Sequence, residues 1–369
     1  MEDLVGPIVS FWRGRRVFLT GHTGFKGAWL ALWLTDLGAE VTGYSLPAPT
    51  SPSLFELARV RDLVRHLDGD VRDEDKLSAA IAQTRPEVVF HMAAQSLVRV
   101  SYEEPVATYA TNVMGTVNLL DAVRRTVGVR AVVCVTSDKC YENHETDRPY
   151  REGDAMGGFD PYSSSKGCSE LVVSAYRRSF FNADQIAAHG VGVASARAGN
   201  VIGGGDWARD RLVPDVMRAF VAGTRPLIRF SGAIRPWQHV LEPLSGYMLL
   251  AERLWGADRT VADGWNFGAD EEDTRTVGWV VDRLAALWDA GAGWELSAES
   301  QPHEAAHLNL DSGKARSLLG WRPAWSLDEA LRQTVAWYRA LASGVDMRDF
   351  TLRQIESYPA PGAGRERGP

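Results

Sequence analysis

No stretch of this chain stays apolar long enough to cross a bilayer; the best one, Ala28 to Leu37, is interrupted by Thr35 and Asp36. Cysteine is scarce. Cys134, Cys140 and Cys168 form no Cys-x-x-Cys pair, too few in 369 residues to staple a secreted domain or to build a zinc ribbon. Their odd count suits a reducing compartment. Nothing before Ser10 reads as a secretion signal, so a cytoplasmic location is expected. An excess of positive charge is missing as well. With 40 Lys and Arg against 47 Asp and Glu the formal charge is −7, which argues against a general nucleic-acid partner. The eight histidines fall in no His-x-x-x-His or Glu-bearing cluster, so no metal is expected. There is no internal repeat.

What is present is an alternation. Val17 to Thr20 reads as a buried strand, after which Leu30, Trp33, Leu34 and Leu37 recur at helical spacing up to Gly38. Glu40 to Tyr44, Val88 to His91, Val132 to Thr136 and Val191 to Ala196 are further strands, with helical patterns between them, notably Tyr109 to Arg125. Such alternation predicts an α/β fold with a doubly wound parallel sheet. After about Asn200 the pattern loosens. Gly203 to Gly205 and Pro214, Pro226, Pro236 and Pro243 suggest short elements, and most of the thirteen tryptophans lie here. The expected organisation is therefore a Rossmann domain over 14–200 and a smaller mixed α/β substrate lobe over 201–345. Some return of the chain between the two is expected, with frayed tails at 1–13 and 359–369.

Gly21, Gly24 and Gly27, spaced Gly-x-x-Gly-x-x-Gly, lie where the first strand hands over to a helix. Small residues there let the backbone approach a pyrophosphate, and the helix N-terminus adds free N–H groups and a positive dipole end. A tight turn that merely needs glycine is the alternative. Thr23, Phe25 and Lys26 fill the loop and are, with its glycines, candidates for cofactor binding. Asp70-Val71 is a candidate for the adenine ring, and Ala93, Ala94 and Gln95 end the next strand with small residues that would let a cofactor pass. Thr111 is a candidate for the groove wall. The second strand ends in Tyr44-Ser45 with neither an acid nor an arginine, which disfavours NADP and leaves NAD as the better choice.

Tyr162 and Lys166 stand four apart, on one face of a helix. A phenol titrates near pH 10; bringing it to about 7 takes roughly 4 kcal/mol, which an ammonium and a nicotinamide cation together can supply. Ser137, Asp138 and Lys139 follow a strand whose carboxyl end faces the ligand crevice, although a polar loop capping the sheet fits the same residues. Arg235 and Asn200 are candidates for a diphosphate, with Arg209 and Arg211 as alternatives and a surface salt bridge favoured for Arg211.

Several segments together resemble the extended short-chain dehydrogenases/reductases, and more narrowly the bacterial CDP-glucose 4,6-dehydratases. They are Thr20 to Gly27, Phe90 to Gln95, Thr136 to Tyr141, Asp160 to Ser163, Arg197 to Trp207, Arg235 to Val240, Gly264 to Gly268 and Leu319 to Pro323. The likeness runs from about Trp12 to Tyr338. The glycine loop and the Tyr/Lys pair mark only the superfamily; Ser137-Asp138-Lys139 and Gly203 to Trp207 narrow it. The resemblance implies tightly held NAD and a nucleotide-sugar substrate, CDP-glucose. It implies that Tyr162 takes the C4 hydroxyl proton, that Lys166 supports the phenolate, that Ser137 contacts the C4 oxygen and that Asp138 protonates the departing C6 hydroxyl. It also implies a homodimer or dimer of dimers through the helices at 105–125 and 162–181. Lys139 stands where dTDP-glucose relatives carry a glutamate base, so it acts either as the C5 base or as a stabiliser of the enolate. Ser96 replaces an expected proline, with loop stiffness as the foreseen effect. The competing readings are a 4-epimerase, which lacks an acid/base pair at 138 and 139, and a silent nucleotide sensor, which commonly loses the Tyr or the Lys.

Overall fold

The computed structural model describes residues 7–146, 148–289, 291–297 and 308–359. The first half alternates strands β1 (Arg16–Thr20), β2 (Glu40–Ser45), β3 (Arg65–Asp68), β4 (Val88–His91), β5 (Ala131–Val135) and β6 (Gly192–Ala198) with helices. Then come β7 (Asn200–Ile202), β8 (Leu227–Ile228), β9 (Ile234–His239), β10 (Gly264–Phe267), β11 (Thr274–Thr276) and β12 (Glu295–Leu296). Seven strands form one parallel sheet in the order β10-β6-β5-β4-β1-β2-β3. The order reverses between β1 and β4, which opens a crevice at their carboxyl ends.

Both sheet faces are buried, and the alternation of side chains sorts the core in two. Val17, Leu19, Val88, Phe90, Val133 and Val135 point to one face, under the helices Phe25–Asp36 and Leu241–Trp255. Phe18, Val89, Val132, Cys134 and Val193 point to the other, with Leu77, Ile81, Leu119, Leu120, Val123 and Val173 from helices. β10 pairs with β6, so a strand from the range expected for the second lobe completes the first sheet. β11, β9 and β7 form a separate mixed sheet, and β8 pairs with β12.

Two expectations need correcting. Residues 7–13 do not fray: Pro7–Trp12 is helical, Trp12 is fully buried, and its indole N–H donates to Glu252 at 2.8 Å. Residues 1–6 and 360–369 lie outside the described residues. Pro214 and Pro243 do not break the later half into short elements either, although its strands are short, with two-residue β8 directly after Pro226. Helices Leu212–Val221 and Leu241–Trp255 carry Pro214 and Pro243 at their third positions, where the missing N–H breaks no helical bond. Helices Val277–Trp288, Leu327–Ala342 and Met347–Ser357 follow.

Behind the crevice, the Glu170 carboxylate accepts from Arg197 at 2.8 and 2.7 Å, from the Ser195 hydroxyl at 2.6 Å and from the Thr136 hydroxyl. Burial alone would raise this carboxyl, but Arg197 and the hydroxyls outweigh it and hold it below its ordinary range. Arg197→Met would strand a buried charge, at a cost of about 3–5 kcal/mol. Urea unfolding should register that loss, and Arg197→Met combined with Glu170→Leu should recover much of it.

Candidate active site

The glycine loop is built by close contacts. Gly21 has φ +77°, and a Cβ on it would sit 2.7 Å from the Ala93 nitrogen. A Cβ on Gly27 would lie 2.2 Å from the Gly21 carbonyl oxygen, so both glycines are needed for packing alone. Gly24 differs: a Cβ there would meet only the Gly21 oxygen, at 3.4 Å. It precedes the Phe25–Asp36 helix without any side-chain cap, which leaves the first N–H groups open to an anion. That is a cradle a dinucleotide diphosphate fits. Thr23 fastens the loop to the end of β2, meeting the Ser45 hydroxyl at 2.7 Å and donating to the Leu46 carbonyl at 2.9 Å. Thr20 closes the gap to β4 by accepting from the Met92 and Ala93 nitrogens at 3.1 Å each.

Asp70 is held by Arg72 through bonds of 2.5 to 3.0 Å, while Val71 is buried beneath Gly115. The Gln95 amide is spent on its own loop, with Leu97 and Thr108. Thr111 is half-buried within a wide π-turn, 110–114. In that turn Asn112 binds both backbone groups of Gln95 at 2.9 Å and donates to the Ser165 hydroxyl at 2.8 Å, tying the β4 loop to the next helix.

That helix, Pro161–Ser179, starts on a cap. The Asp160 carboxylate accepts from the Ser163 nitrogen at 2.9 Å and Pro161 occupies the first turn. Tyr162 and Lys166 are both buried on it. The Ser137 hydroxyl donates to Asp138 at 2.9 Å, accepts from the Lys139 nitrogen at 3.2 Å and lies close enough to the Tyr162 phenol to ease its ionisation. Burial raises the Asp138 carboxyl, against the pull of Lys139, Ser137 and Arg235. Lys139, half-buried, continues the short turn Asp138–Cys140.

The phenol is not lowered as the spacing suggested. Burial pushes Tyr162 up to about 12; the nearby Ser137 hydroxyl and Arg211 oppose this, while Asp138 and Asp160 add to it. Lys166 donates instead to the Val135 carbonyl at 3.3 Å, and its ammonium is itself lowered to about 8 by burial, against Glu170 one turn on. Desolvation outweighs the intended ion pairing.

Tyr247 escaped the sequence reading, and Arg211 does more than the surface salt bridge favoured for it. Tyr247, fully buried on the Leu241–Trp255 helix, faces Tyr162 and Asp138 electrostatically and accepts from the Lys26 ammonium at 3.4 Å. No local pattern marks it, because it reads as one more aromatic in an apolar helix. Arg211 does pair with Asp206, at 2.9 Å, yet it also acts on Tyr162 and Lys26 and donates to the Ser96 hydroxyl at 3.1 Å. Ser96 is thus a hydrogen-bonding position, which a proline could not provide. Arg235 bears on Asp138, Asn200 lies half-buried on β7, and Arg209 is exposed.

The sequence model of the GDP-mannose 4,6 dehydratase family matches residues 18–334. The chain belongs to that family. This dehydratase-family chain is 56% identical to a CDP-glucose 4,6-dehydratase of Salmonella typhimurium, over 95% of this chain and 97% of the relative. It is 30% identical to a dTDP-glucose 4,6-dehydratase of Streptomyces antibioticus, over 88% and 92%. Among solved structures it resembles a dTDP-glucose 4,6-dehydratase of Streptomyces venezuelae with NAD and TYD bound (TM-score 0.74, 26% identity, 90% of this chain and 99% of that one). A UDP-glucose 4-epimerase of Thermotoga maritima shares the fold (TM-score 0.77, 21% identity, 88% and 99%). Like them, the chain is an extended short-chain dehydrogenase/reductase.

A raised carboxyl has a thermodynamic signature. Asp138 favours its proton more when folded than at its ordinary 3.8, so it stabilises fully below about pH 4 and loses that contribution as pH climbs through its folded value. Asp138→Asn, neutral throughout, should therefore melt above the wild type at pH 8, with the difference vanishing near pH 4.

Proposed function

We propose that the chain is an NAD-dependent hydro-lyase that converts CDP-glucose into CDP-4-keto-6-deoxy-glucose and water. The observation that carries this reading is Asp138: a carboxyl biased by burial toward its neutral acid, one hydroxyl away from Tyr162. A 4-epimerase needs the Tyr/Lys pair but has no use for a proton donor beside it. The cytidine preference is supported by the Salmonella relative.

The Gly21–Gly27 loop and the open helix start would hold the dinucleotide, with Lys166 near its nicotinamide ribose. The dinucleotide's part is a reversible two-electron exchange, taking electrons from the sugar at C4 and giving them back at C6. Tyr162, as its phenolate, accepts the C4 hydroxyl proton while Ser137 contacts the C4 oxygen; Lys166 and Arg211 favour the phenolate that burial opposes, and a bound oxidised nicotinamide would add its positive charge to theirs. Oxidation at C4 acidifies the C5 proton. Lys139 removes it or stabilises the enolate that results, Asp138 protonates the C6 hydroxyl as it leaves, and a proton returns to C5 as C6 is reduced. Arg235 and Asn200 bind the sugar-nucleotide diphosphate.

The chain acts as a homodimer in this reading. Tyr102, Val106, Met114 and Leu171 are large apolar side chains at least half exposed on the helices at 98–124 and 161–179, a face that a second copy would cover. Val106→Glu with Leu171→Arg should halve the mass seen by light scattering.

Mass spectrometry after incubation with CDP-, dTDP-, UDP- and GDP-glucose tests the reaction: CDP-glucose should lose one water, and inertness of all four would sink the reading. Tyr162→Phe should slow turnover by about 10²–10⁴-fold. In deuterated water, Lys139→Ala that still incorporates deuterium at C5 at the wild-type rate would exclude Lys139 as the base.

A further inference from the structure

The side chain of Lys26 takes no part in the reaction outlined above, which uses only the backbone of its loop. It leaves the first turn of the Phe25–Asp36 helix and enters the crevice, where its ammonium donates to the Tyr247 hydroxyl at 3.4 Å and lies 5.6 Å from the centre of that ring. Tyr247 comes from the Leu241–Trp255 helix and is fully buried, while Lys26 remains partly open. The charged groups facing this amine come from three other elements. Lys166 lies on the Pro161–Ser179 helix, Arg211 directly before the Leu212–Val221 helix, and Asp138 in the turn after β5. Two are cations, and the carboxyl is biased toward neutrality by its own burial. An ammonium partly withdrawn from water among like charges is poorly compensated, and an incoming anion relieves it. The same helix start offers uncapped N–H groups to such an anion.

We infer that the Lys26 ammonium, steadied by Tyr247, is a side-chain anchor for the diphosphate of the dinucleotide cofactor. The inference rests on the reading above only in taking NAD as the ligand. Burial, with Lys166 and Arg211 alongside, lowers this amine to about 7. A bound diphosphate favours the charged form and lifts that value. Below pH 7 the amine is charged with or without ligand, so binding moves no proton. Above pH 7 the free amine is neutral and must take a proton from solvent to serve as anchor. Affinity then falls as pH rises, until the bound amine loses its proton as well. Lys166, at about 8, titrates in the same window, so comparison of variants rather than the wild-type profile carries the test.

Calorimetric titration of the full chain with NAD and with ADP-ribose, from pH 6 to pH 9 in buffers of different ionisation enthalpy, reads affinity and proton uptake together. For both ligands the wild type should take up a fraction of a proton at pH 8, with affinity dropping about tenfold across the range, equivalent to one pKa unit of coupling. Lys26→Arg should keep the low-pH affinity and lose the share of proton uptake that belongs to Lys26, because a guanidinium stays charged. Lys26→Met should bind both ligands about tenfold more weakly at pH 6, with thermal denaturation confirming that it is folded. Three results would overturn the anchor: undiminished affinity in Lys26→Met, unchanged proton uptake in Lys26→Arg, or a loss confined to NAD with ADP-ribose unaffected, which would put the amine at the nicotinamide end. No sugar nucleotide enters any arm. Failure here therefore leaves the dehydratase reading standing, and inertness toward CDP-glucose leaves the anchor standing.

Discussion

The buried pair between Glu170 and Arg197 fixes the helix that carries Tyr162 and Lys166. One carboxylate gathers Arg197 and Ser195 from β6 and Thr136 from just past β5, so the helix is held to two neighbouring strands at one point. The network continues outward. Arg197 donates to the Tyr141 hydroxyl at 2.5 Å, Tyr141 donates to Asn266 on β10 at 2.8 Å, and Asn266 donates to the Tyr150 carbonyl at 2.9 Å. Within low-dielectric surroundings each of these bonds is costly to leave unmade, which makes the arrangement specific rather than merely stable. Tyr162, two turns before Glu170, inherits that specificity, and so does the short turn bearing Asp138 and Lys139.

Charge is distributed unevenly around that frame. The chain is acidic as a whole, yet Lys26, Lys166, Arg211 and Arg235 all bear on the few residues around Asp138. An acidic exterior with a cationic crevice suits ligands that carry several phosphates, and it concentrates them where they react.

Much of this was legible in the sequence because its signals are local. A strand running into Gly21, Gly24 and Gly27, a Tyr and a Lys one turn apart, and Ser137 to Lys139 after a continuous apolar strand all declare themselves within a few residues. What stayed hidden depends on distance along the chain. Tyr247 reaches the centre only because its helix packs across β5 and β6, and nothing in Leu241 to Trp255 advertises a polar neighbour. The upward push on Tyr162 was missed for a related reason: spacing shows which cation is near a phenol, but not how much water the fold removes. Gly203 to Gly205 identified the family without revealing their task. The Gly204 carbonyl accepts from the Trp29 indole at 2.9 Å, and a Cβ on Gly204 would overlap the Trp337 ring, so at least this glycine serves to pack between the Phe25–Asp36 and Leu327–Ala342 helices.

The return of β10 to the first sheet has a mechanical consequence. The chain leaves that sheet after β6, comes back through the Leu241–Trp255 helix and β10, and departs again toward β11. Gln238 on β9 adds a rivet, donating to the Phe267 carbonyl at 2.8 Å. Segments laced in this way cannot swing apart about a single hinge, since every crossing would have to bend together. Access to the crevice must then come from its rim, through small movements of side chains and loops such as those bearing Ser96 and Arg211, while the groups around Tyr162 stay at fixed separation.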